Sequence, residues 1–194
     1  MRRSSRPRAA ATSAVAVALA GLFFAPPARA GAEVQVASGP DVQGSSWRGD
    51  AAIAQSLKLG VRFKEVIAID ALTRLGYATV DQRVLTYLSL GVSVYGKLAG
   101  GRLRPFGRLS LVHQHEEPMS AYRHDPFGAI FGVGDGIRHR GGFGGSLGTD
   151  FVIARGAATA FLLGVDVNST WFPDPRGPAV YFGGGLWAGL DYSL

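Results

Sequence analysis

All four histidines of the chain, His113, His115, His124 and His139, lie between residues 113 and 139, with Glu116, Glu117 and Asp125 among them. Imidazole and carboxylate together are ligand types for Zn²⁺ or Cu²⁺. On a strand, His113 and His115 would share a face, because side chains alternate sides with a period of two. That would supply two ligands, but the spacing of His113, His115 and His124 fits no established metal motif. The segment therefore reads as a solvated polar loop, and no metal ligand is assigned. Ser110 and Ser120 stand near His113 and His124 in sequence, which raises serine–histidine hydrolase chemistry. No third group that would orient the histidine is identifiable. No catalytic residue is assigned, and the chain is not read as an enzyme. Gly-Val-Gly-Asp-Gly at 132–136 is glycine-rich like a phosphate loop, but no helix follows to receive an anion, so it reads as a mobile loop tip and no cofactor is expected. Arg48-Gly49-Asp50 is an integrin-type tripeptide too common by chance to carry a function.

The elements around these residues are strands. From Val180 to Leu194, the residues Val180, Phe182, Leu186, Ala188, Leu190, Tyr192 and Leu194 share one parity. Gly183, Gly185, Gly189, Asp191 and Ser193 share the other, with Trp187 as a bulky exception. A period of two places the sets on opposite faces. The same alternation recurs over 161–171, 143–153, 104–115, 88–94, 67–75 and 57–63, and a weaker strand around Glu33–Ser38 makes eight. Residues 50–58 could begin a helix, but their parity reads as strand.

One face is apolar. The other carries Lys58, Arg62, Arg74 and Arg108 together with Asp70, Asp150, Asp166 and Asp191. Charges on a buried face must be paired, since an isolated one costs several kcal/mol. Eight strands enclose an interior just wide enough for side chains to fill it. A plugged polar lumen with no open pore is expected.

Residues 1–30 read as a cleaved secretory signal: Arg2, Arg3, Arg6 and Arg8, an apolar run to Phe24, then Ala28-Arg29-Ala30. This segment contributes five arginines and no acid, so the chain's net charge of +6 falls to +1 beyond residue 30. The basic character is thus no argument for nucleic acid, and no nucleic-acid partner is expected. The absence of cysteine excludes disulfides and thiolate zinc sites. No later apolar run is long enough for a spanning helix. That test is blind to barrels, whose strands alternate.

Strand and loop lengths separate the architectures. Several segments reach about ten residues, the length a tilted membrane strand needs. Connections at 64–65, 98–102 and 154–157 are short. Those at 39–51, 79–83, 116–141 and 173–178 include the longest, as in outer-membrane barrels with short periplasmic turns and longer extracellular loops. Outward-parity aromatics fall near both strand ends: Tyr77, Phe143, Trp171 and Phe182 at one, Phe63, Phe161 and Tyr192 at the other.

On this pattern, and most specifically on Gly-Gly-Phe-Gly-Gly-Ser-Leu-Gly-Thr-Asp-Phe at 141–151 and Gly-Gly-Gly-Leu-Trp-Ala-Gly-Leu-Asp-Tyr-Ser-Leu at 183–194, the chain resembles the small eight-stranded outer-membrane barrels, such as the transmembrane domains of outer membrane proteins A and X. The resemblance implies an all-β, eight-stranded antiparallel up-and-down transmembrane β-barrel over 31–194, in the outer membrane of a Gram-negative bacterium. It implies contact with outer-membrane lipid and lipopolysaccharide, and insertion by the barrel-assembly machinery. That machinery reads a terminal aromatic residue in this group; here the sequence ends in Leu194, with Tyr192 two before it. The expected role is structural or in surface interaction, and an extracellular partner would meet loop 116–141. Two alternatives stand beside it: a soluble exported lipocalin-like barrel holding an apolar ligand, with the faces reversed, and an outer-membrane lipid hydrolase.

Overall fold

A strand with one apolar face is stable only where that face meets other apolar matter and where both its edges are paired. A computed structural model describes residues 31–194 and satisfies both conditions with a closed sheet. The expected export signal lies outside the described residues. The elements run β1 (Ala32–Ser45), β2 (Ala51–Phe63), β3 (Ile67–Ala78), β4 (Arg83–Tyr95), β5 (Leu103–Pro118), two short helices α1 (Met119–His124) and α2 (Pro126–Ile130), then β6 (Arg138–Arg155), β7 (Thr159–Trp171) and β8 (Val180–Ser193). Each strand pairs antiparallel with the next, and β8 returns to β1 through Glu33↔Ser193 to Ser45↔Tyr181. The fold is the expected eight-stranded antiparallel barrel.

A strand of 13 residues, such as β4, is about 43 Å long at roughly 3.3 Å per residue. Tilted by about 40°, it rises about 33 Å, more than the apolar band of about 25 Å on such barrels. The outward face is predominantly apolar along this height, with Ser38, Gln55, Thr73 and Ser169 as uncharged polar exceptions. Ile53, Leu57, Leu59, Ile69, Leu88, Leu90, Val92, Leu109, Leu111, Leu147, Val167 and Leu186 are all exposed. Phe143 and Trp171, partners across β6 and β7, stack with centroids 6.1 Å apart on the same wall. The lipocalin-like alternative requires these residues inside and the charges outside, and the structure has the reverse.

The turns at one end are tight. Lys64 and Glu65 both have positive φ, 48° and 57°, and the Val66 N–H donates to the Phe63 carbonyl at 3.0 Å. The positive φ values at both central residues are those of a type I′ turn, whose twist matches the strands. It sits at the two residues the sequence marked, and one more residue, Val66, precedes the first pair, Phe63↔Ile67. The opposite end carries the loops 46–50, 79–82, 119–137 and 172–179.

Two boundaries differ from expectation. The first strand extends to Ser45, so the loop expected at 39–51 shrinks to 46–50. Gly39-Pro40 reads as a turn, yet it sits where the ladder to β8 lapses between Ser38↔Ala188 and Asp41↔Gly185 while pairing to β2 continues. A proline without an N–H is tolerated at such a lapse. The loop expected at 116–141 is likewise trimmed to 119–137, and it contains α1 and α2, where no helix was expected. The Asp125 carboxylate accepts from the Gly128 N–H at 2.9 Å, and Pro126 occupies the first turn of α2, which are local helix-start signals.

Leu90 stands midway along β4 on the outward wall and is 61% exposed. The substitution Leu90→Arg is expected to cost about 2–4 kcal/mol relative to Leu90→Ala in urea unfolding from lipid vesicles. Equal stability of the two variants would mean that this wall does not face hydrocarbon.

Candidate functional site

Each charge singled out on the polar parity points into the lumen and is buried. Burial forces pairing, and the register decides the partners. Near the tight turns, Arg62 bridges Glu33 and Asp191, and the Arg104 Nη1 donates to Asp191 at 2.6 Å. Higher, the Arg108 Nε donates to Asp70 Oδ1 at 2.5 Å and Ser93 Oγ donates to Asp70 Oδ2 at 2.6 Å. Arg74 lies 3.3 Å from Asp41, whose Oδ2 also accepts from Asn168.

Three of these charges have no opposite charge within ion-pair distance among the described residues: Asp150 accepts instead from Gln35 and Asp166 from Asn168 and the Gly185 N–H, and the third is Lys58. Its Nζ donates to the Tyr95 hydroxyl at 2.9 Å and stands over the rings of Phe106 (4.9 Å) and Trp187 (5.9 Å). Ring faces attract a desolvated cation, which accounts for Trp187 pointing inward against its neighbours' pattern. The Trp187 indole N–H donates to Asp150 at 3.1 Å, and the ring lies flat on Gly164, where a Cβ would stand 1.9 Å from Nε1.

At the loop end one carboxylate gathers most of the charge. Glu116 accepts from Arg83 (3.0 Å), Arg140 (2.7 Å), Gln114 (3.0 Å) and the Tyr181 hydroxyl (3.0 Å), and Arg138 lies 3.1 Å away. Arg83 also pairs with Asp50 at 3.0 Å. The Arg-Gly-Asp tripeptide therefore ends in a buried, paired aspartate rather than an exposed one. Cavities among the lumen side chains include one of about 30 Å³ between Lys58, Arg74, Arg108 and Asp166 and one of about 10 Å³ beside Arg74 and Tyr87.

Glu116, Arg83, Arg104 and Arg140 face the lumen and Glu117 is buried on the outward parity; sequence reasoning placed none of them on the inward face. Glu116 and Glu117 were read as loop. Arg140 had a usable signal: it shares inward parity with Gly142 and Gly144 on β6 and pairs with Gln114.

Outside the wall, the histidines regroup. His113 and His115 share the outward face of β5 as expected. The third member is His139 rather than His124, because β6 pairs His139 directly with His115. The ring nitrogens of His113, His115 and His139 offer one ligand atom each within 4.8 Å of one another. His124 ends α1 outside this group. Ser110 is buried on the lumen side, with its Oγ donating to the Gly144 carbonyl at 3.4 Å, so the barrel wall separates it from His113. Ser120 is exposed on α1. Behind His139, Arg176 Nη2 donates to the His139 carbonyl at 3.1 Å. In the 172–179 loop, Asp174 is held down to about 2 by hydrogen bonds from the Arg176 side chain and backbone. This clamp is thus complete above the ordinary carboxylate range and is lost only as the pH falls toward 2. It persists throughout the range where imidazole titrates, around 6.5.

No family model matches the sequence, nor does any curated protein. Solved structures do resemble it. Neisserial surface protein A superposes with a TM-score of 0.55 and 16% identity, over 85% of this chain and 98% of that one. Ail, the attachment invasion locus protein of Yersinia pestis, solved with the heparin analogue sucrose octasulfate, does so with a TM-score of 0.50 and 10% identity, over 84% and 99%. The chain has the fold of the small eight-stranded outer-membrane barrels. Such barrels keep their short turns in the periplasm and their long loops outside. Applied to this chain, that rule would put the Glu116 network and the three histidines at the extracellular end.

Glu116→Ala would leave Arg83, Arg138 and Arg140 without their shared carboxylate. Removing one partner of a buried charge set costs about 3–5 kcal/mol, and that loss is expected in urea unfolding of the folded barrel. A loss under about 1 kcal/mol, the range of exposed pairs, would show that water substitutes freely for the carboxylate.

Proposed function

We propose that the protein is an outer-membrane barrel with a plugged lumen, acting through its exterior surface rather than as a pore. The observation that carries this reading is the buried polar network at both ends of the lumen: below, Arg104 of β5 reaches across to Asp191 of β8, which Arg62 also pairs; above, Arg83 and Arg140 converge on Glu116, to which Tyr181 donates from β8; a cavity of about 30 Å³ lies between. A space of that size is about that of one water molecule. Residues 1–30 serve as the export signal. Outer-membrane lipid and lipopolysaccharide cover the apolar wall, and the barrel-assembly machinery inserts the chain.

The surface role belongs to the 119–137 loop. Instead of standing clear of the barrel, it lies along the outer wall. Ile130 and Phe131 face Leu57, Leu75, Leu88 and Thr86 across an apolar groove of about 570 Å³. Phe127, Phe131 and Val133 remain exposed at 77%, 75% and 67%. Large exposed apolar side chains on a loop mark a contact surface. Here they suit the boundary of the outer leaflet or a partner's apolar patch.

The test is reconstitution into planar bilayers. The native chain is expected to give no steady conductance steps. A reproducible ohmic current from folded, heat-modifiable protein would overturn the plugged-lumen reading.

A further inference from the structure

Polar side chains on a wall that faces hydrocarbon are costly, so a group of them needs a cause. Four stand together at the outer end of β5 and β6: His113, His115, Glu117 and His139. We infer that they form a site for a divalent transition ion of the zinc–copper class, with the three imidazoles as ligands and Glu117 as the carboxylate behind one of them.

The backbone builds the site. His113 and His115 are two residues apart on one face of β5, and the β5–β6 register sets His139 opposite His115. The ring centroids lie 4.7 Å (His113–His115), 4.6 Å (His115–His139) and 5.9 Å (His113–His139) apart. The Nε2 atoms of His113 and His115 face each other at 2.8 Å. Two nitrogens bound tetrahedrally at about 2.0–2.1 Å from zinc stand about 3.3 Å apart, so small ring rotations bring the pair to coordination distance.

The other side of His115 is already arranged for this. Its Nδ1 lies 3.4 Å from the Ile130 carbonyl and 3.9 Å from Glu117 Oε1. With the proton on Nδ1, the Nε2 lone pair is left for a metal. A carboxylate or carbonyl behind a ligating imidazole is the usual arrangement for fixing its tautomer and raising its basicity.

Glu117 is an independent observation. Its side chain is fully buried although it lies on the outward parity, and no Lys or Arg side chain pairs with it among the described residues; the Thr86 hydroxyl is its polar neighbour. A buried carboxylate in that state is destabilising unless positive charge comes within reach. The His115 ring lies 3.9 Å from it, and a cation bound at the far side of that ring would bring positive charge within reach.

The loop closes over the same rings. Gly132 has φ +76°, and a Cβ there would lie 2.6 Å from the Cε1 atoms of both His115 and His139. The backbone at 132 is thus seated on the two imidazoles, which accounts for a glycine at that point of the 132–136 run. Three protein ligands leave a fourth position free for water or an anionic group. That position lies beside the apolar groove under α2.

The test uses the full-length barrel, purified in detergent without a polyhistidine tag, stripped with a chelator and titrated with Zn²⁺ or Cu²⁺. Calorimetry and metal analysis are expected to show one ion per chain, with Cu²⁺ bound more tightly than Zn²⁺. His113→Ala, His115→Ala and His139→Ala should each weaken binding at least about tenfold, and Glu117→Gln by about 10–100-fold, the range for outer-shell partners. His124→Ala should bind as the native chain does. Heat-modifiable mobility on gels reports that each variant is folded. Failure of the native chain to bind either ion overturns the proposal, as does undiminished binding in a folded His115→Ala/His139→Ala double variant.

Discussion

Closure of the sheet is the constraint on which the rest of this structure depends. A strand in hydrocarbon has no water to satisfy its N–H and C=O groups, so every strand must be paired on both edges. Eight strands meet that condition only when β8 returns to β1, and the register from Glu33↔Ser193 to Ser45↔Tyr181 does so, lapsing only at Gly39-Pro40. Once the sheet is closed, period-two alternation divides every strand between lipid and lumen. The interior of an eight-stranded barrel is just wide enough for side chains to fill, so charges placed there lie within reach of one another and of polar neighbours. The ion pairs are therefore consequences of closure as much as causes of stability. Replacing them with apolar residues of similar volume need not weaken the fold, whereas removing one partner must.

The narrow lumen also explains how size is distributed within it. Where Trp187 enters, Gly164 opposite has no Cβ to meet it; where Arg108 crosses, Gly91 lies beneath the guanidinium, at which a Cβ would approach to 2.8 Å. Large and small residues alternate around the ring because the circumference is fixed by strand number. A cation without a carboxylate can then be accommodated by rings instead, as Lys58 is by Tyr95, Phe106 and Trp187.

What the sequence discloses is what has a period. The outward residues from Leu57 to Leu186 and the eight inward charges were legible because alternation is local. The loop-end network was not. Glu116 and Glu117 are adjacent, so they break the alternation and read as loop, and their burial depends on two different covers. Glu116 is covered by Arg83, Arg138 and Arg140 from neighbouring strands, while Glu117 is covered from outside by the 119–137 loop. The replacement of His124 by His139 has the same origin. His124 is nearer to His115 in sequence, but hairpin register, which no single strand encodes, decides which histidine faces it. The short helices escaped notice because at six and five residues they are too brief to show a helical period.

The outward wall shows where the chain departs from the minimum that closure requires. A barrel needs only an apolar band there, and over most of its height this one is apolar, broken by single uncharged polar residues such as Gln55, Thr73 and Ser169. At one place, the outer end of β5 and β6, the lipid-side parity carries three imidazoles and a carboxylate, and the chain covers them with a loop that lies against the wall instead of extending away. Neither the polar cluster nor the cover helps to close the sheet. The cluster would cost less if replaced by leucines, and the loop could be as short as 79–82 without disturbing the register. Structure retained at a cost to the scaffold is where function is to be sought. In this molecule the lumen charges belong to the scaffold, and the histidines and their loop do not.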